Sequence, residues 1–352
     1  RQQYAEAAVR FEAHLANSPN NAAANHGLGL CRRMLRMPVE ASRCFTLSMR
    51  LDRSMSNLVP NLLQRAQCMR MHGDREAALC DINRVLLLDA MSSSAMHLKA
   101  IIMIEIAQYE AAIGVISGAI SIASDDPHHW VVRGVCYEKL NDHEASIRDL
   151  QRAVVLAPSS ASVYYSLGNG FAALNRHVEA IQAYDRCLSI EPTLTACLNN
   201  RGHLHALLFH NEKAIADFDE CIRLSPNQPA AFANRGAVRK RLGQSREATV
   251  DLERALELYD ERQHQNPRNG FVRYSKGEVL RNLGRYQEAL VELEHAVRLD
   301  RSCAEAYMER GFVFIELGQG SLAQEAFDQA IKLNPSCMYH RYLSINLLQT
   351  IS

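Results

Sequence analysis

The sequence predicts an all-α solenoid of stacked helix pairs, and three observations carry that reading. Gly134, Gly168, Gly202 and Gly236 recur every 34 residues, and Pro158, Pro192 and Pro226 keep the same spacing. Small residues recur in step with them, at Ala112, Ser146, Ala180 and Ala214. Around both series apolar residues fall at helical spacing, as in Tyr184, Cys187 and Ile190 or Phe218, Cys221 and Leu224. A period of this length means stacked copies of one supersecondary unit.

Taken in order, the second helix of each unit carries its small residue at Ala7, Ala41, Ala78, Ala112, Ser146, Ala180, Ala214, Ala248, Ala289 and Ala323. The first helix carries its own at Gly29, Ala66, Ala100, Gly134, Gly168, Gly202, Gly236, Gly277 and Gly311. Helix backbones approach closely only where side chains are nearly absent. The expected organisation is one domain over 1–352, with about nine complete pairs and partial repeats at both ends. The repeats are placed at 1–21 (second helix only), 22–55, 59–92, 93–126, 127–160, 161–194, 195–228, 229–266, 270–303 and 304–337, with 338–352 as a partial or capping helix. No pair can bury its own apolar face, so each leans on its neighbours. Gly243, Gly284 and Gly318 stand where a first helix must end and reverse, with Asn141 and Asn175 in the same slot elsewhere.

The period breaks twice. Ala41 to Ala78 carries three extra residues and Ala248 to Ala289 seven. The second insertion adds charged helix formers from Leu252 to Gln265, which reads as a lengthened second helix; a longer loop is the alternative. Neither break carries a Gly/Ser/Pro-rich linker.

The run Trp130-x-x-Arg133-Gly134-x-x-Tyr137, followed by Ala145-Ser146, Leu150, Ala153 and Pro158, resembles the tetratricopeptide repeat (TPR). The departure in the opening motif is Arg133 where leucine is usual. The resemblance implies a right-handed superhelix whose concave surface, lined by the first helices, holds a peptide or a partner helix.

Composition narrows the function classes. Basic and acidic residues balance at 39 each, whereas a generic nucleic-acid or acidic-membrane binder shows a basic excess. Ten cysteines occur without a C-x-x-C pair, several at apolar repeat positions such as Cys187 and Cys221, and read as small hydrophobes in a reducing compartment. No stretch approaches the roughly 20 apolar residues of a membrane span. The first residue is Arg, so a longer parent chain is expected.

The copies also co-vary. Where leucine is usual before the first-helix glycine, several copies have a cation, with an acid sixteen residues later: Arg65 with Asp81, Arg133 with Asp149, Arg201 with Asp217, Arg235 with Asp251, and Lys276 with Glu292. Copies that keep leucine lack the acid, as in Leu28 with Cys44 and Leu167 with Ala183. These pairs are expected to be structural ion pairs between the two helices of one repeat. Lys99 with Val115 and Arg310 with Ala326 break the rule.

Catalytic and metal chemistry have no visible basis. Gly168-Asn169-Gly170 lacks the third glycine of a dinucleotide loop, no phosphate-binding Gly-x-x-x-x-Gly-Lys-Ser/Thr occurs, and His128-His129 and His203-Leu204-His205 lack zinc-ligand spacing. No cofactor and no metal are expected. Two groove zones follow from the TPR resemblance. One is aliphatic, at Leu98, Ile101, Ile104, Val131, Val132 and Val135; a helical phase one position off would put these residues in the core. The other is polar, at Ser166, Asn169, Asn199, Asn200, His203 and Asn234. Asn200 and Asn234 precede Arg-Gly in adjacent repeats, similar to the asparagine ladder of the O-GlcNAc transferase superhelix, and an amide both donates and accepts. A carboxylate clamp anchored on Asn169 would call for cations at Tyr165, Ala230 and Asn234, none of which is basic.

The expected function is a non-catalytic scaffold that binds a peptide or helix in the groove as a subunit of a larger assembly. The expected partners are one or several proteins, with no nucleic acid and no membrane span. The expected setting is cytoplasmic, with cytoskeleton or cilium as candidate sites. The alternative is the recognition region of a larger enzyme, like O-GlcNAc transferase, with its catalytic domain outside this sequence.

Overall fold

Each helix pair closes on a small residue of its first helix, because a large side chain of the second helix fills the space where a Cβ would stand. A Cβ added to Gly277 would lie 2.5 Å from Leu293 Cγ, and one added to Gly202 would lie 2.8 Å from the Phe218 ring. Both Leu293 and Phe218 are wholly buried. The computed structural model describes residues 2–334, and among these the chain is nineteen helices with no strand. The expected capping helix at 338–352 lies outside the described residues.

The chain divides into two compact units, Arg1–Ile190 and Glu191–Ser352. The first holds α1 (Gln2–Asn17), α2 (Ala22–Met34), α3 (Pro38–Leu51), α4 (Met55–His72), α5 (Arg75–Leu88), α6 (Ser93–Glu105), α7 (Tyr109–Ile122), α8 (Pro127–Lys139), α9 (His143–Leu156), α10 (Ala161–Ala173) and α11 (His177–Ile190). The second holds α12 (Thr195–Leu207), α13 (Asn211–Leu224), α14 (Pro229–Arg241), α15 (Ser245–Gln265), α16 (Gly270–Asn282), α17 (Tyr286–Leu299), α18 (Ala304–Glu316) and α19 (Gly320–Leu333). Even-numbered helices are the first helices of their pairs and odd-numbered ones from α3 onward the second. Within each unit a pair packs on itself and on the next, the α-solenoid arrangement.

Most first helices have 13 residues and most second helices 14. The two insertions are absorbed as helix. α15 reaches 21 residues. α4 reaches 18 and carries Pro60 inside it. Proline suits the first turn of a helix, and Pro60 stands where a regular first helix would start, so the extra turn lies upstream of it.

The turn inside every pair closes on a residue of positive φ. Glycine fills it at Gly73, Gly243, Gly284 and Gly318, asparagine at Asn141 and Asn175, and Arg36, Ala107 and Phe209 in the remaining pairs. The left-handed conformation costs a residue with a Cβ roughly 1–2 kcal/mol. Phe209, at φ 59°, accepts that cost with its ring 71% exposed and the Arg241 guanidinium 4.9 Å from the ring centre.

Among the described residues the cysteines are free, and most are buried. Burial pushes the Cys68 and Cys136 thiols up to about 11, which keeps them protonated and inert.

Candidate functional site

In the aliphatic zone Leu98 departs from the groove-facing expectation, while Ile101, Ile104, Val131, Val132 and Val135 keep partial exposure. Leu98 is buried, in one core with Leu62, Ile82, Val85 and Ile102. Ile104 and Val132 pack against the core formed by Ala112, Ile116 and Cys136. Ile101, Val131 and Val135 are partly buried. The physical reason is that α6 is apolar almost all round, from Leu98 through Ile104, so hydrophobic periodicity cannot select which face looks outward.

The amide zone behaves differently in the two units. In the first, Ser166 and Asn169 are partly buried, and Asn169 Oδ1 accepts a 2.7 Å hydrogen bond from the hydroxyl of the buried Tyr184, tying that amide to the packing of its own pair. In the second, Asn234 Nδ2 donates to Asn199 Oδ1 at 3.1 Å, linking the adjacent first helices α14 and α12. Asn199 stands one position before Asn200, the residue at the equivalent repeat place. Asn200 is partly buried and His203 exposed on the same helix.

The first-helix face of the second unit continues through residues that sequence reasoning did not select. Lys240 Nζ donates to the carbonyl of Asn282 at 2.6 Å, joining α14 to α16. Arg281 Nε donates to Glu309 Oε2 at 2.7 Å, joining α16 to α18, with its guanidinium 5.5 Å from the Phe312 ring centre. Phe271 is 65% exposed and its ring centre lies 6.0 Å from that of Tyr274. Glu278 shares α16 with Arg281: burial, followed by the charge of Glu309, pushes its carboxyl up to about 7 against the opposing pull of Arg281. Burial and the carboxylates of Glu278, Glu309 and Glu305 also raise the Tyr274 phenol. One signal would have found Glu278. It occupies the repeat place of Asn169 and His203 once the seven-residue insertion is counted.

The expected inter-helix pairs lie at bonding distance. Arg65–Asp81 measures 2.7 Å, Arg133–Asp149 2.7 Å, Arg201–Asp217 2.6 Å, Arg235–Asp251 2.6 Å and Lys276–Glu292 2.8 Å. Each of the four arginines holds both carboxylate oxygens, the strong bidentate form. A further relationship was not visible in the spacing. The same cations reach back to the preceding second helix: Arg65 to Thr46, Arg133 to Ser117, Arg235 to Asp219 and Lys276 to Asp260. This explains one exception to the rule, since Lys99 has no acid ahead of it but donates back to Asn83 Oδ1 at 2.9 Å. The other, Arg310, lies 5.1 Å from the Tyr307 ring centre and 6.0 Å from that of Phe314.

No group of three or more side chains suited to a metal ion occurs among the described residues. His128 is exposed, and His129 sits with its ring centre 5.3 Å from that of His97 and Nδ1 3.2 Å from the Ala123 carbonyl. No helix among them is long and apolar enough to cross a membrane.

Stacked helix pairs joined by arginines that tie three helices together define an α-solenoid repeat protein. Models of the tetratricopeptide repeat match residues 134–193, 195–228, 272–303 and 304–337, so the chain carries tetratricopeptide repeats over these segments. No curated protein matches the chain. Among solved structures, a tetratricopeptide repeat protein from Parabacteroides merdae is similar with a TM-score of 0.57 and 14% identity, over 74% of this chain and 98% of that one. The Cut9–Hcn1 hetero-tetramer of the APC/C gives 0.53 and 12% identity, over 93% of this chain and 78% of the other. MamA gives 0.43 and 21% identity over 46% of this chain and 94% of its own. These likenesses are of fold.

Proposed function

We propose that this protein is a non-catalytic interaction scaffold that holds an extended peptide or a helix of a partner protein on the first-helix face of its second unit. The observation that supports the reading is the set of polar and aromatic side chains on successive first helices, Asn199, Asn234, Lys240, Phe271, Glu278 and Arg281, with neighbouring first helices linked by hydrogen bonds from Asn234 and Lys240. A face needed only for packing would bury aliphatic side chains, as α6 does. An amide pair can meet a peptide unit with one donor and one acceptor. A partner lysine or arginine beside Glu278 would offset the repulsion from Glu309 and hold the carboxyl ionised.

We place the protein as a subunit of a larger assembly in the cytoplasm, with cytoskeleton or cilium as candidate locations, with no nucleic acid as its ligand and no membrane span. The test is selection of a random peptide library on the intact chain. Recovered peptides are expected to carry a basic residue and to bind at least about tenfold more weakly to the Glu278→Lys variant. Peptides whose binding ignores both Glu278→Lys and the double change Asn199→Ala with Asn234→Ala would remove this face as the site.

A further inference from the structure

An open pocket of about 550 Å³ lies on the second-helix side of the first unit, along α3 and against the turn between α4 and α5. Its apolar lining is Pro38, Val39, Leu47 and Met69, with Val39 38% and Leu47 46% exposed. Arg43 and Arg50 line it too, both exposed and neither in an ion pair. These arginines contrast with Arg65, Arg133 and Arg235, whose cations are all spent on carboxylates of the stack. The lining carboxylate, Asp74, is occupied as the N-cap of α5, accepting from the backbone N–H of Ala77 at 3.0 Å. The pocket therefore combines an exposed apolar floor with two arginines outside any ion pair.

The spacing specifies the occupant. Arg43, Leu47 and Arg50 stand at i, i+4 and i+7 on one helix face, so the cations are about 10.5 Å apart along the axis with the apolar opening between them. A helical ligand with carboxylates seven residues apart and a large apolar residue between them would meet all three. We propose that this pocket docks an acidic amphipathic helical segment of a partner protein, seating one apolar side chain between Val39, Leu47 and Met69 and its two carboxylates against Arg43 and Arg50. The site is separate from the first-helix face and does not depend on the function proposed for it.

The probe is a labelled, alanine-based helical peptide carrying Glu, Leu and Glu at spacings of four and three, titrated against the intact chain by fluorescence anisotropy. Saturable binding that weakens with salt is expected, as interfaces of this kind are electrostatically steered. The Arg43→Glu, Arg50→Glu double variant should lose binding by about tenfold or more and regain it for the peptide with Lys in place of Glu. Both arginines are exposed, and circular dichroism is the check that the variant is folded. Glu278→Lys should leave this binding unchanged, which separates it from the first-helix face. Absence of saturation by ~1 mM, equal binding of the Glu and Lys peptides, or self-association through α3 that excludes the peptide would each overturn the assignment.

Discussion

Arg133 grips Asp149 with two bonds, Nε to Oδ2 at 2.7 Å and Nη2 to Oδ1 at 2.8 Å, and turns its remaining nitrogen to Ser117 Oγ of the preceding pair at 3.1 Å. The Asp149 side chain is 8% exposed. Nearest-neighbour coupling sets the stability of a repeat stack, and here a side chain contributes to both the pair and the coupling. A buried pair carries desolvation costs that nearly cancel its attraction, whereas half of one leaves an unmatched charge.

Asp149→Ala should therefore lower stability by about 3 kcal/mol, towards the small end of the buried-pair range because Arg133 retains a path to water. Adding Arg133→Leu should recover most of that loss. Leu167 with Ala183 already serves as this apolar solution one repeat further on. Denaturant titration of the wild type, the single variant and the double variant checks it. A double variant as unstable as Asp149→Ala would show that the charge pair is needed for more than mutual neutralisation.

Gly277→Ala should destabilise the second unit by about 1–3 kcal/mol, since the new methyl meets Leu293 Cγ at 2.5 Å and Leu293 is closed in on all sides. Gly134→Ala should cost less, because the nearest Leu150 atom lies 3.2 Å away. The difference between the two melting midpoints is the readout. Ala66 and Ala100 hold the same repeat place elsewhere, so the cost comes from this particular contact and not from helix propensity.

The two units should respond to acid in opposite senses. Burial, followed by the neighbouring His129, lowers His97 from 6.5 to about 4, with His128 acting the same way and Asp126 opposing. A depressed folded value gives stability that is full above pH 6.5 and is lost as pH falls through about 4. Glu278 is raised from 4.5 to about 7, so its contribution is full below 4.5 and is lost as pH rises through about 7. Hydrogen exchange should show α6 and α8 loosening between pH 6.5 and 4 while α16 and α18 tighten from pH 7 to 4.5. His97→Gln should flatten the first trend and Glu278→Gln the second.

The architecture was legible because its determinants repeat. Gly134 and Gly168 announce close helix approach, and Arg133 with Asp149 announces a contact because other copies change both residues together. Leu98 was misplaced because α6 is apolar on nearly every side and carries no phase. The link from Arg281 to Glu309 was hidden because it joins two different repeats and has no counterpart pair of opposite charges in other copies, the equivalent places holding, for example, Ala206 and Asn234. Comparing copies recovered the forward bond from Arg133 to Asp149, while the backward bond to Ser117 escaped because its partner varies among Ser, Thr and Asp.

The first-helix face of the second unit is proposed to receive a partner segment. A structure of the chain with a library-selected peptide tests it most directly. The peptide backbone is expected within hydrogen-bonding distance of Asn199 or Asn234, with a basic side chain against Glu278. A peptide lying wholly along second helices, with α12, α14, α16 and α18 untouched, would contradict it.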